Sequence, residues 1–158
     1  MQPDIGITDQ NRSKVIEILN TLLADEVLLY TKLRKFHWNI VGARFKGLHE
    51  LFEEQYTQLE TLIDQVAERA RTLGGVAIGT MAEFQEHARL KENPGENPDA
   101  ESMIKEIVRD HEVLIRQLRA EISRTAETYE DIGTEGFLAD LLEQHEEMSW
   151  MLRAHLEE

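Results

Sequence analysis

The chain of 158 residues contains no cysteine, which excludes disulfide frameworks, thiol catalysis and cysteine-held zinc or iron–sulfur centres. Any metal must therefore be held by oxygen and imidazole. Positive charge is scarce: 17 Lys and Arg stand against 31 Asp and Glu, a net charge of −14 with histidines neutral. Such a field repels phosphate backbones and anionic lipid and concentrates cations. No run approaches the ~20 apolar residues needed to cross a bilayer, and the opening MQPDIGITDQNRSK has no signal-like apolar core. The expectation is a cytoplasmic protein. Sustained alternation of apolar and polar residues is also missing, as are internal repeats and low-complexity tails, so one all-α domain is expected.

Apolar residues instead recur at three- and four-residue spacing in four long segments. After a tail over 1–8, the first helix is predicted over about 9–38, capped by Thr8 or Asp9 and carrying Val15, Leu19, Leu22, Leu29, Leu33 and Phe36. A break containing Gly42 leads to a second helix over about 44–73, closed by Gly74-Gly75. Thr80 and Glu83 form a capping box that starts a short helix, over about 80–90. Asn97-Pro98 reads as the cap and first turn of a third long helix over 98–128, and a fourth follows over 135–156. Short links force antiparallel neighbours, whereas the long middle connection can return the chain to its starting end. The sum is a four-helix bundle with one long crossover.

On the second helix Leu48, Phe52, Leu59, Ile63, Val66 and Ala70 define the core face, and beside them His49, Glu53, Asp64 and Glu68 make an outward polar stripe. His49/Glu53 and Asp64/Glu68 are each spaced i, i+4, so each pair can converge on one cation. The two pairs cannot meet, because their midpoints lie roughly 22 Å apart along the axis while bonds from nitrogen or oxygen to a metal span about 2.0–2.6 Å. They are two half-sites. A second copy docked antiparallel across a two-fold axis would set each His49/Glu53 against the partner's Asp64/Glu68, giving two identical sites per dimer. His37, near the short turn, can add an imidazole to the His49 side. Bundle proteins with an internal di-iron site carry Glu-x-x-His on two helices, and no histidine here has Glu three positions before it. His111 and His145 fall on apolar stripes and are read as core histidines.

The set Lys35-Phe36-His37-Trp38-Asn39, Gly42, Phe45, Leu48-His49-Glu50, Phe52-Glu53-Glu54, Asp64, Ala67-Glu68-Arg69 and Leu73-Gly74-Gly75 resembles the Dps family, the mini-ferritins also called DNA-binding proteins from starved cells. The likeness extends through the crossover to Trp150-Met151-Leu152-Arg153. It implies a ferritin-like bundle assembled as a hollow homo-dodecamer, with hydrogen peroxide or dioxygen oxidising ferrous iron at two irons per inter-subunit site and ferric mineral stored inside. His37, His49 and Glu53 would come from one subunit and Asp64 and Glu68 from its mate; Glu53 stands where many members carry Asp. By the same likeness Trp38 would relay electrons, and Asp131, Glu135 and Asp140 would line three-fold pores. The alternative role in the family is DNA binding and protection, through lysine-rich tails. Here residues 1–14 offer only Arg12 and Lys14 against Asp4 and Asp9, so DNA binding at physiological salt is not expected.

Overall fold

The computed structural model describes residues 3–157, which form five helices and no strand: α1 (Asp9–Asn39), α2 (Phe45–Thr72), α3 (Met81–His87), α4 (Ala100–Glu127) and α5 (Ile132–Arg153). α1 starts where the Thr8 hydroxyl accepts the Asn11 amide at 3.2 Å. α2 stops at Gly74, whose φ of 82° lies in the left-handed region, and there the amides of Gly74 and Gly75 bond back to the carbonyls of Arg71 and Ala70. Gly75 is required for a second reason: a Cβ there would stand 2.6 Å from the Ile16 side chain, so α1 and the end of α2 could not close together. The Thr80/Glu83 capping box forms as the sequence predicts.

Four boundaries differ from expectation, one of them the end of α5, which lies at Arg153 rather than residue 156. The short helix ends at His87 rather than residue 90, because Ala88 leaves the helix in an extended conformation and Ala88 and Leu90 turn into the core. The cap of α4 is Asp99, whose carboxylate accepts the Ser102 amide at 2.8 Å; Asn97-Pro98 precede the helix. α5 begins at Ile132, since Asp131 accepts the Thr134 amide at 2.9 Å and caps it.

The short links fold α1 against α2 and α4 against α5, and contacts of α1 with α4 and of α2 with α5 close the bundle. Its centre is filled by Leu19, Leu22, Leu29, Leu33, Phe36, Phe52, Leu59 and Leu118, all almost fully buried. Burying each such side chain contributes about 1.5–3 kcal/mol, which makes the hairpin of α1 and α2 a rigid support for residues beside the link that joins them. Asp25, fully buried on α1, ties the crossover down: it accepts the amides of Arg89 (2.6 Å) and Leu90 (3.0 Å) and the Arg89 guanidinium (2.7 Å). No helix among the described residues is long and apolar enough to cross a membrane.

Candidate metal centre

The last turn of α1 and the first two turns of α2 meet across a link of only a few residues, and this places His37 beside His49. The rings stack with centroids 3.7 Å apart and planes at 20°. Each imidazole then bonds to the other's backbone: His37 Nδ1 donates to the His49 carbonyl and His49 Nδ1 to the His37 carbonyl, both at 2.8 Å. A carbonyl only accepts, so both Nδ1 atoms carry hydrogen and, in the neutral rings, both Nε2 atoms present a lone pair. This is how metal-binding histidines are oriented by their surroundings.

Glu53, one turn after His49, completes the group. His37, His49 and Glu53 each offer a ligand atom, and these lie within 4.8 Å of one another. Two donors on one small cation stand at most about 4.2 Å apart, so small rotations would bring the set onto an ion. His37 is buried, His49 half-buried and Glu53 exposed, so the group opens outward. Two neutral imidazoles and one carboxylate suit a divalent first-row metal but leave its coordination incomplete.

Asp64 and Glu68 lie farther along α2, both exposed, and do not join this group within the chain. The outward stripe therefore appears as two separate clusters on one helix. Apolar surface borders the histidine side: Trp38 is 65% exposed, Val41 75% and Phe45 45%, with the Phe45 ring 5.0 Å from that of His49. Of the three pore candidates, Asp140 is exposed and Glu135 half-buried. Asp131 is 2% exposed, one carboxylate oxygen taking the Thr134 hydroxyl at 2.5 Å and the other the Arg69 guanidinium at 3.2 Å, and it caps α5.

His111 and His145 are fully buried, as their apolar stripes imply, with their Nδ1 atoms 3.0 Å apart and His145 Nε2 donating to Glu26 at 2.7 Å. Sequence reasoning missed the aromatic surroundings of the centre. Tyr56 stands edge-to-face to His37, and Arg34 lies over the rings of Tyr30, Tyr56 and Trp38. Burial, and then the negative charge of Glu53, push the Tyr56 phenol above its ordinary pKa. The available signal was position: Tyr56 follows Glu53 by three residues and His49 by seven.

The model of the ferritin-like domain family matches residues 16–158. DNA protection during starvation protein 2 of Bacillus anthracis is 40% identical over 90% of this chain and 97% of its own length. A low temperature-induced protein of Nostoc is 49% identical over 98% of this chain and 86% of its own. Among solved structures, the Dps protein of Vibrio cholerae O1, described as one of the ferritin-like diiron-carboxylate proteins, superposes with a TM-score of 0.91 at 33% identity, covering 99% of this chain and 97% of that one.

Proposed function

Because the chain belongs to the Dps branch of the ferritin-like family, we propose that it oxidises ferrous iron at sites shared between two subunits and stores the ferric product inside a hollow dodecamer. The observation that carries this reading is the His37/His49/Glu53 group, with both Nδ1 atoms bonded to backbone carbonyls and Glu53 exposed on the outward side. Asp64 and Glu68 of a two-fold mate supply the carboxylates that one chain cannot bring there. The exposed Trp38, Val41 and Phe45 support a covered face around the site, since apolar surface beside a polar cluster marks an interface. Trp38, adjacent to His37, is assigned to electron relay.

Iron is the substrate. Ferrous ions enter by way of the acidic surface, with Asp131, Glu135 and Asp140 as the pore candidates. Two imidazoles and three carboxylates form a hard, anionic set that binds Fe(III) more strongly than Fe(II) and so promotes the loss of an electron. Two ferrous ions give two electrons to one hydrogen peroxide, which with two protons yields two waters. No hydroxyl radical is released, and that balance suits a role in protection from oxidative damage. Dioxygen is the alternative oxidant. The net charge of −14 argues against compaction of DNA as the main activity.

The test is an anaerobic ferrous titration followed by half an equivalent of peroxide. The unmutated protein gives rapid ferric absorbance, and His49→Ala combined with Asp64→Ala slows it by at least about 100-fold. Unchanged kinetics in that variant would leave the polar stripe as a solvated surface.

A further inference from the structure

Tyr56 touches His37 and lies one turn after Glu53 on α2, beside both kinds of ligand in the His37/His49/Glu53 group. It sits on the ligand face of α2, three residues after Glu53 and seven after His49. Its ring meets the His37 imidazole with centroids 5.4 Å apart and planes at 85°. On another side Tyr30 packs against it at 6.0 Å and 86°, and the Arg34 guanidinium lies 4.9 Å from its centroid. Arg34 is itself fixed, donating to the Tyr30 hydroxyl at 2.6 Å. The Tyr56 ring is thus held by three neighbours before any metal arrives.

Glu53 has the opposite character. It is exposed, and a glutamate has three side-chain torsions to fix before it can ligate. Tyr56 follows Glu53 by three residues on α2, so the two side chains are neighbours on one helix face, and in such a pair the phenol can only donate to the carboxylate. Glu53 already has a carboxylate oxygen within 4.8 Å of a ligand atom of each histidine, so a neighbour that limits its torsions would keep it there. We propose that Tyr56 is a positioning residue for the metal centre, its ring fixing His37 and its hydroxyl holding Glu53 toward the cation. The inference rests on His37, His49 and Glu53 being ligands.

The probe is cobalt(II) chloride, added without oxygen to the assembled full-length protein and followed by its visible absorption. Tyr56→Phe keeps the ring and removes the hydroxyl; it weakens cobalt binding about tenfold and shifts the visible band. In a Glu53→Ala background the same change has less than about a twofold effect, because the group that the hydroxyl holds is gone. A reading independent of the folding of these variants is the ultraviolet band of tyrosine. Cobalt loading shifts it in the unmutated protein and fails to do so in Glu53→Ala. Wild-type cobalt affinity in Tyr56→Phe, a tenfold loss that persists in Glu53→Ala, or an unshifted tyrosine band would each overturn the proposal. If His49→Ala abolishes binding while Tyr56→Phe leaves it intact, only the positioning role falls; if both bind normally, the ligand assignment falls with it.

Discussion

His111 and His145 show how much a single buried contact can decide. Their Nδ1 atoms face each other at 3.0 Å, so one must donate and the other accept, and His145 hands its remaining hydrogen to Glu26. Burial first, and the neighbouring His145 second, hold His111 well below the ordinary imidazole pKa of 6.5. Below that pH the unfolded chain takes up a proton that the folded chain refuses, so stability is fully present above about pH 6.5 and drains away as pH falls toward the depressed folded value. Each pKa unit of depression is worth about 1.4 kcal/mol. Thermal scans from pH 7 to pH 5 should therefore show a falling midpoint, and His111→Gln, though less stable at pH 7, should show a shallower fall. Parallel slopes would place the acid sensitivity elsewhere. The sequence revealed that these histidines belong to the core, because they interrupt apolar stripes. It did not reveal that they touch, since 34 residues separate them and only the packing of α4 on α5 joins them. The same limit applied at the metal centre. Helical spacing exposed His49 and Glu53 as a pair, whereas the exchanged carbonyl bonds of His37 and His49 depend on how tightly the link between α1 and α2 closes.

At the scale of elements, local rules identified every helix and misplaced some ends where two capping residues competed. Asn97 and Asp99 can both cap; the carboxylate at Asp99 wins by taking the Ser102 amide, which moves Pro98 outside the helix. At α5 the glycine at position 133 disguised a first turn as a loop. It is glycine for reasons of space, since a Cβ would stand 3.0 Å from the Arg69 guanidinium that reaches across to Asp131. The crossover depends on a tether that composition could not show. Asp25 and Glu26 interrupt an apolar stretch of α1, and Asp25 satisfies two backbone amides and one guanidinium of the segment after α3. Removing it leaves buried donors without a partner, so Asp25→Ala should cost about 3 kcal/mol. The Arg89 and Leu90 amides should also lose protection from hydrogen exchange before the core of α1 does. Exchange at those two amides no faster than in the unmutated chain would mean that burial of Phe84 and Leu90 suffices to hold the crossover.

For the whole molecule, the decisive fact is that α2 runs unbroken over 28 residues, so its two candidate clusters stay out of each other's reach. That separation was legible from sequence, because rise per residue is a property of the helix and not of its neighbours. The identity of the neighbour was not, because a single chain carries no statement of what covers its exposed face. The dimeric reading has a consequence that no single-chain site shares. Co-assemble equal amounts of His49→Ala chains and Asp64→Ala chains. A dimer of either variant alone has two damaged sites. A mixed dimer collects both lesions in one site and leaves the other with an intact His37/His49/Glu53 group facing an intact Asp64/Glu68 pair. With random pairing about half of the dimers are mixed, so the preparation should regain about a quarter of the unmutated rate of peroxide-driven iron oxidation, although each parent is nearly inactive. The measurement is the initial rate of ferric absorbance in the co-refolded sample against the two variants refolded apart and then combined. Equal rates in the two preparations would place the complete site within one chain.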